Sequence, residues 1–415
     1  MINFLRVGGA INSRKATSVT GTTFRAYARL ALLPLLAAML VSMPAASSAS
    51  SDREDQAAAI VETAPAGQPL EVVVTSRGAD GVLVITTTVV KTTQNALALI
   101  LKALGLSSTI GAEMNTPVSI DATYNDPLRS QQWALTALKA ETVHKTAKGS
   151  GVTVAVIDTG VKATHTDLDT VLAGTDFVTP DTNANDENGH GTHVAGIIAA
   201  TYDNKKGIAG MAPKAKILPV RVLDKNGAGT SANVAKGVLY AVSKGAKVIN
   251  LSLGTTANST ALQAAVAEAI KKNVLVVAAA GNRGCTLTGS PTEYPANLPG
   301  VVGVGAVDKS LQKASFSSCG SWVDVTAPGA AIVSTTIRNS VGLGCSASAD
   351  YCTLNGTSFA TPYVAAAAAL AIEKRGWSQA TVAAKLESSS TDLSTVGKDK
   401  NTGAGFLNPT KLLAP

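Results

Sequence analysis

The sequence predicts an α/β fold in which helices cover both faces of a mostly parallel central sheet, preceded by an apolar N-terminal segment and a small α+β unit. Continuous apolar runs such as "VTVAVID", "AKVINLSL" and "NVLVVAAAG" alternate with helical stretches such as "SANVAKGVLYAVSKG". Apolar runs of this kind are typical of strands buried on both faces, and the intervening helices indicate parallel connections. In such sheets functional side chains gather at the carboxyl ends of the strands.

The first 49 residues have the organisation of a secretory signal peptide. Arg25 and Arg29 precede the apolar run "LALLPLLAAMLV", and the small-residue stretch "PAASSASS" follows it. A membrane anchor is the alternative, but the run is shorter than about 20 residues and contains Pro34. We therefore expect a secreted, extracellular protein with no membrane attachment after signal removal.

The next two segments differ in composition. Residues 50–68 read "SSDREDQAAAIVETAPAGQ". Most of them are polar or small, which predicts a linker. Residues 69–121 carry the β-branched runs "LEVVVTS" and "GVLVITTTVV" and the helical stretch "NALALILKALG". They predict a small α+β unit that can build little core alone. Residues 122–415 form the predicted large domain.

The net charge of +7 is spread thinly, and aromatic residues make up only 4% of the chain. A nucleic-acid groove concentrates basic residues and interleaves them with aromatics. We therefore expect no nucleic-acid partner, and we expect a monomer.

All four cysteines lie in the second half of the chain. Because an exported protein meets an oxidising environment, disulfides are expected. Four cysteines allow three pairings, and proximity in sequence favours Cys285 with Cys319 and Cys345 with Cys352. A catalytic cysteine is the alternative, but none has a recognisable nucleophile setting.

Three polar residues have ordinary interpretations when each is taken alone. Asp158 at the end of "VAVID" is typical of a turn, and Ser358 at the start of an alanine-rich stretch is typical of a helix cap. His190 is compatible with a structural role. His190 and His193 stand three apart without the intervening glutamate of H-E-x-x-H zinc hydrolases, so a metal site is disfavoured.

Together, the three motifs change the interpretation. "IDTG", "HGTHVAG" and "GTSFATP" occur in the order Asp, His, Ser. In these motifs the chain resembles the subtilisin-like serine proteases, or subtilases, and among them the thermitase-like secreted members. The resemblance covers residues 123–415 and implies a serine endopeptidase that acts on polypeptides.

The resemblance implies a role for each residue. Ser358 attacks the peptide carbonyl, His190 accepts its proton, and Asp158 holds the imidazole. Asn282 in "AAAGN" donates to the oxyanion. His193 is then not catalytic and is expected to pack on the same helix.

The resemblance also implies a substrate cleft. Small or apolar residues are expected to line the first specificity pocket, which suggests broad tolerance: Ser252, Leu253, Gly254, Ala279, Ala280 and Gly281. The family resemblance, matched at the dipeptide "YP" that directly follows Glu293, places this residue near the pocket floor. A buried carboxylate there favours Lys or Arg in the substrate. An exposed loop glutamate is the alternative. A basic preference also predicts self-cleavage after Lys or Arg, yet residues 103–128 contain neither.

Calcium is the cofactor that the resemblance implies, with a structural role. Hard cations prefer oxygen ligands. The expected ligands are the side chains of Asp126, Asp167 and Asn204 and the carbonyls of Thr201, Lys206 and Ile208.

The small unit at 69–121 resembles an inhibitory prodomain, so the enzyme is expected to be made as a zymogen and cleaved between Gly105 and Ala122. Two alternatives keep the fold. One is an inactive binding scaffold, and the other is a selective processing protease with a preference for basic residues.

Overall fold

The computed structural model describes residues 48–64, 70–115, 124–394 and 396–414. The predicted signal peptide lies almost entirely outside the described residues. The chain divides into two compact units, Met1–Ile120 and Asp121–Pro415. In the described part of the chain, no helix has both the length and the apolar character needed to cross a bilayer.

The N-terminal unit packs two helices on one face of a three-stranded antiparallel sheet of order β2-β1-β3. Helix α2 begins after Thr92, whose side chain accepts a hydrogen bond from the Asn95 amide. This cap satisfies one of the amides that a helix start leaves free. The elements are α1 Ser48–Glu62, β1 Leu70–Arg77, β2 Leu83–Val90, α2 Thr93–Leu104 and β3 Thr109–Met114.

The prediction of a linker at 50–68 is wrong for most of that segment, because helix α1 occupies it. Ala57 is fully buried in the core of the N-terminal unit with Val72 and Ile100. The run "DQAAAIVE" combines good helix formers with small apolar side chains that pack against α2. The polar residues of α1 are mostly exposed, which explains why composition alone resembles a linker.

The larger unit contains a seven-stranded sheet of order β10-β9-β8-β7-β4-β6-β5. Every pairing within this sheet is parallel. Its strands are β4 Thr153–Asp158, β5 Thr175–Asp176, β6 Lys216–Arg221, β7 Val248–Leu251, β8 Leu275–Ala279, β9 Val301–Val307 and β10 Val325–Pro328. A separate antiparallel hairpin pairs β11 Ile332–Thr335 with β12 Tyr351–Leu354.

Helices cover both faces of this sheet. In β4, Val154 and Val156 belong to one buried core, whereas Ala155 and Ile157 belong to the other. Helices α5 and α8 supply residues to the first core, and α6 and α7 supply the second. The helices are α3 Trp133–Ala137, α4 Ala140–His144, α5 His190–Ala199, α6 Ser231–Ser243, α7 Thr260–Lys271, α8 Thr357–Arg375, α9 Gln379–Ser389 and α10 Pro409–Leu413, with 3₁₀ turns at Arg129–Gln131 and Val341–Leu343.

These features confirm the predicted fold class, a parallel sheet between two helical layers. The predicted disulfides are also present, joining Cys285 to Cys319 and Cys345 to Cys352. All four cysteines are therefore paired.

Candidate active site

Three polar residues lie at or just beyond the carboxyl ends of adjacent strands. Asp158 is the last residue of β4, Ser252 follows β7, and Asn282 lies three residues after β8. Strands β8, β7 and β4 are neighbours in the sheet. Because they run parallel, their ends place these residues at one edge.

Two glycines allow helix α5 to begin with His190. Gly189 has φ 108°, and a Cβ on it would lie 2.5 Å from the Ser340 hydroxyl oxygen. A Cβ on Gly191 would lie 2.0 Å from the carbonyl oxygen of Gly160. A larger residue at Gly191 would therefore push the start of α5 away from the loop that follows Asp158, and one at Gly189 would push it away from Ser340.

His190 and Asp158 form a direct contact. The His190 Nδ1 atom lies 2.7 Å from Asp158 Oδ1, and the carboxylate is fully buried. Burial lowers the pKa of the His190 imidazole, but the charge and hydrogen bond of Asp158, helped by the charge of Asp186, outweigh burial and raise the pKa above its ordinary value. An imidazole in this setting is a stronger proton acceptor.

Asp186 organises this region, although the sequence interpretation did not single it out. It is 3% exposed, and its carboxylate accepts hydrogen bonds from the amides of Gly189 and Thr192. It also accepts from the Thr159 hydroxyl, which in turn accepts from the Gly191 amide. Asp186 therefore connects the residue after Asp158 to the helix that begins with His190. In the sequence, the feature that could have identified Asp186 is its position four residues before His190.

Ser358 is the second residue of α8, a 19-residue helix. Pro362 lies inside this helix and has no amide hydrogen to donate to the Ser358 carbonyl four residues earlier. That carbonyl instead accepts from the Ser252 hydroxyl at 2.7 Å. The proline thus leaves a carbonyl free to join the serine segment to the end of β7.

The Ser358 hydroxyl donates to the carbonyl oxygen of Ser252 at 3.0 Å. The side chain is partly exposed, as is that of His190. The ring of Phe359, the next residue along α8, lies 5.3 Å from the His190 ring. The start of α8 and the start of α5 are therefore packed side by side.

Asn282 is oriented by the first residue of α8. Its Oδ1 atom accepts hydrogen bonds from the Thr357 amide at 2.8 Å and the Thr357 hydroxyl at 2.9 Å. Because the amide can only donate, these contacts assign the oxygen of the Asn282 side chain. The Nδ2 group is then available to donate at the cavity that Asn282 shares with Ser358.

A cavity of about 290 Å³ opens beside Ser358. Five of the residues predicted for the first specificity pocket line this cavity: Leu253, Gly254, Ala279, Gly281 and Glu293. The remaining lining residues are Asn282, Arg283, Thr357 and Ser358.

Ala280, also predicted for the first specificity pocket, is not among the residues that line this cavity. Its side chain is fully buried in the sheet core, and its carbonyl accepts from the indole of Trp322. Side chains alternate between the faces of a strand, and Ala280 continues that alternation just after β8. Ser252 lines a neighbouring groove of about 660 Å³ instead, together with His190 and Leu343.

Glu293 is a buried residue of the pocket and not an exposed loop glutamate. It is 4% exposed, and burial raises the pKa of its carboxyl group although Arg283 opposes the shift. The Arg283 Nε atom lies 3.4 Å from Glu293 Oε2. Sequence reasoning missed Arg283, although it directly follows Asn282.

His193 lies apart from the contact between Asp158 and His190. It is fully buried, its Nε2 atom lies 3.1 Å from the Cys352 carbonyl oxygen, and its ring packs 4.5 Å from Phe359. Burial lowers its pKa to about 3. It therefore acts as a neutral packing residue between α5, α8 and the hairpin.

The predicted calcium ligands converge on one loop. Asp126 accepts from the Asn204 amide at 3.0 Å, and Asp167 accepts from the Asn204 side chain at 2.8 Å. Both carboxylates are buried. Burial raises the pKa of Asp126 and raises that of Asp167 to about 6, which indicates carboxylates with too little positive charge nearby.

Carbonyl groups in this loop divide into two sets. Gly207 and Ala209 accept hydrogen bonds, from the Leu128 amide and the Gln132 side chain. No hydrogen bond from the described residues is found for the carbonyl oxygens of the other set, Thr201, Lys206 and Ile208. In the described residues no three acidic, histidine or cysteine side chains cluster as a metal site. Two carboxylates, one amide and three carbonyls would suit a hard cation.

The subtilase family (peptidase S8) matches residues 149–405 of this chain. The chain belongs to the subtilase family. Its similarity to thermitase from Thermoactinomyces vulgaris is 44% identity over 277 residues, covering 66% of this chain and 94% of thermitase. The chain is also 50% identical over 226 residues to the thermophilic serine proteinase of Bacillus sp. (strain AK1). This match covers 54% of this chain and 53% of that proteinase.

The fold of this subtilase also resembles a solved protease from Pseudoalteromonas arctica PAMC 21717. The TM-score is 0.63 at 32% identity, with 70% of this chain and 99% of that chain covered. The chain is thus a thermitase-like subtilase and a serine endopeptidase.

Proposed function

We propose that this subtilase is a secreted endopeptidase, made as a zymogen, that hydrolyses a broad range of polypeptides through an acyl-enzyme on Ser358. The observation that carries the proposal is the 2.7 Å contact between His190 and buried Asp158, beside the start of the helix that holds Ser358. The imidazole is held in one tautomer by that contact, with Nε2 free to accept a proton.

For attack, the Ser358 hydroxyl leaves the Ser252 carbonyl and donates to His190 Nε2. Its oxygen bonds to the peptide carbonyl carbon while the proton moves to His190. Asn282 Nδ2 donates to the carbonyl oxygen as that oxygen becomes negative. His190 then returns the proton to the departing amine, and water cleaves the acyl-enzyme by the same sequence of transfers.

The polypeptide is proposed to bind as an added strand along Ser252, Leu253 and Gly254. Strand addition uses main-chain hydrogen bonds and therefore tolerates many sequences. The groove of about 660 Å³ extends from this segment and offers room for residues preceding the scissile bond. Digestion of denatured casein is expected to give cleavage at many sites. Cleavage at only a few would favour a selective processing protease instead.

The N-terminal unit is proposed to inhibit the peptidase unit until it is cut away. Its sheet exposes apolar residues, including Leu83 at 56%, Ile85 at 69% and Val89 at 67%. Apolar patches of this kind usually mark a surface that binds a protein partner. A covalently attached inhibitor acts at high effective concentration.

Calcium is proposed to bind through the side chains of Asp126, Asp167 and Asn204 and the carbonyls of Thr201, Lys206 and Ile208. The buried carboxylates with raised pKa support this set, as do the carbonyls to which no described residue donates a hydrogen bond. The cation would supply positive charge that stabilises the loop and would take no part in proton transfer.

Covalent labelling tests the catalytic assignment. A sulfonyl fluoride is expected to modify Ser358 and to abolish proteolysis, and peptide mass mapping locates the label. Asp158→Asn should slow labelling strongly, because His190 then loses its carboxylate partner. Folded protein that is not labelled at Ser358 would show instead that the chain is an inactive scaffold.

A further inference from the structure

A buried carboxylate and a half-exposed guanidinium share the cavity beside Ser358. The Glu293 side chain is 6% exposed, whereas that of Arg283 is 50% exposed. Both line the cavity of about 290 Å³ together with Ser358. The pocket therefore contains both members of an ion pair before any substrate enters.

Two glycines place the carboxylate of Glu293 at the pocket wall. A Cβ on Gly254 would lie 2.6 Å from Glu293 Oε1, and a Cβ on Gly281 would lie 3.1 Å from Oε2. The carboxylate thus fills the space that side chains at these positions would occupy. Among the described residues, the only hydrogen bond to this carboxylate comes from Arg283 Nε to Oε2. Oε1 is left for a ligand.

The contact made by Arg283 is loose. It uses a single nitrogen at 3.4 Å, not the paired geometry that makes arginine–carboxylate contacts strong. The Arg283 backbone is fixed, because its amide donates to the Ser318 hydroxyl and Cys285 nearby is joined to Cys319. The side chain can therefore move into solvent while its backbone stays in place.

From this arrangement we propose that Arg283 is a resident counter-ion that suppresses a specificity for lysine and arginine that Glu293 alone would impose. The proposal rests on the proposed function, in which this cavity receives the side chain before the scissile bond. A basic substrate side chain that enters the cavity replaces the Arg283 guanidinium beside Glu293. Because one cation takes the place of another, the net gain in binding free energy is small. A neutral side chain leaves the ion pair intact.

The chain's own sequence agrees with such suppression. The proposed processing window from Gly105 to Ala122 contains no lysine or arginine, and none occurs anywhere in residues 103–128. An enzyme restricted to basic residues could not cut itself there. A pocket whose carboxylate is already neutralised could.

The test compares kcat/KM for matched peptides with lysine or methionine before the scissile bond. Rates are normalised to the fraction of Ser358 labelled by a sulfonyl fluoride. For the wild type, the ratio of lysine to methionine is expected to lie within about threefold of one. Arg283→Met should raise this ratio at least about tenfold, because the buried carboxylate then lacks a partner.

The companion variants define the origin of the effect. Glu293→Gln should lower the ratio at least about tenfold, because the remaining guanidinium repels lysine. The double variant Arg283→Met with Glu293→Gln should return it to within about threefold of the wild-type value. Lys272→Met removes a surface lysine paired with Glu268 and should leave the ratio unchanged.

Two results would overturn the inference. One is an Arg283→Met ratio equal to that of the wild type, and the other is a wild type that already prefers lysine more than about tenfold. Both are measured on unlabelled enzyme, whose active fraction is determined by labelling Ser358 with the sulfonyl fluoride in a separate sample. Loss of labelling in the wild type would instead refute the proposed function, so the two failures are distinguishable.

Discussion

At the scale of single residues, the orientation of Asn282 depends on Thr357. The Asn282 oxygen is held by both the amide and the hydroxyl of Thr357, so its Nδ2 group can only face elsewhere. The Thr357 hydroxyl also accepts from the Gly281 amide at 3.3 Å. One threonine therefore orients the proposed oxyanion donor and fixes the loop that carries it.

Asn282→Ala is expected to lower kcat about 10²- to 10³-fold with little change in KM, a magnitude that comes from subtilisin, a relative of this chain. The donor acts mainly on the charge that develops during reaction. Thr357→Val, which keeps the amide contact, should lower kcat by about tenfold or less. Steady-state kinetics on a peptide amide measure both. Equal losses of kcat in the two variants would contradict the distinction between Asn282 as the hydrogen-bond donor and Thr357 as the residue that orients it.

The raised pKa of His190 predicts the pH dependence of hydrolysis. The imidazole must be neutral to accept a proton, so kcat/KM should fall as pH falls through a value above about 6.5, the ordinary pKa of histidine. Asp186→Asn removes one negative charge that raises this pKa. The inflection of the pH profile is therefore expected to move to lower pH.

Asp308→Asn is the matched control for the pH profile. Asp308 also accepts hydrogen bonds from two backbone amides of its loop, those of Ser310 and Gln312. The inflection should not move in this variant. A shift as large as that of Asp186→Asn would mean that general loop disturbance causes it.

At the scale of elements, the two disulfides close loops of different length. Cys285 and Cys319 are separated by 34 residues, and Cys345 and Cys352 by 7. Constraining a longer loop removes more entropy from the unfolded chain. Replacing the first pair by serine is expected to cost about 4 kcal/mol of unfolding free energy, and replacing the second about 2.5 kcal/mol.

Guanidinium unfolding measures both costs. The background is Ser358→Ala, so that self-digestion does not disturb the measurement. A larger loss from the shorter loop would show that native contacts of the hairpin, and not loop entropy, dominate.

The loop between α5 and β6 is expected to depend on calcium. Chelation should lower the melting temperature of the wild type, because the buried carboxylates of Asp126 and Asp167 then repel each other without a cation. Asp167→Asn should lose most of this calcium dependence. Asp224→Asn, which alters an exposed turn of another loop, should retain it. A melting temperature unaffected by chelation in the wild type would refute the site.

At the scale of the whole molecule, the chain consists of two compact units that divide between Ile120 and Asp121. The N-terminal unit has its own small core, which includes Val72, Ala96 and Ile100. This organisation is consistent with cleavage of a single peptide bond that separates the N-terminal unit from the peptidase unit.

The purified wild type is therefore expected to begin between Gly105 and Ala122. In Ser358→Ala the chain should remain joined across this window, because the enzyme makes its own cut. N-terminal sequencing and intact mass measure both. A mature start well outside the window, or normal cleavage in Ser358→Ala, would contradict self-processing.

The sequence alone predicted the parallel sheet, both disulfides and the family, because these depend on local signals. Buried strands require continuous apolar runs, and the motifs around Asp158, His190 and Ser358 are contiguous in sequence. The same local signals misled at 50–68, where polar composition predicted a linker. Burial of Ala57 against residues distant in sequence, among them Ile100, places helix α1 there instead.

Only the tertiary structure decided which way side chains face and which charges meet. Ala280 faces the core although its neighbours Ala279 and Gly281 line the cavity, because side chains alternate along a strand. Glu293 is buried, and Arg283, ten residues earlier, reaches its carboxylate. Residue types and spacing are written in the sequence, whereas burial and pairing arise only when separate loops pack together.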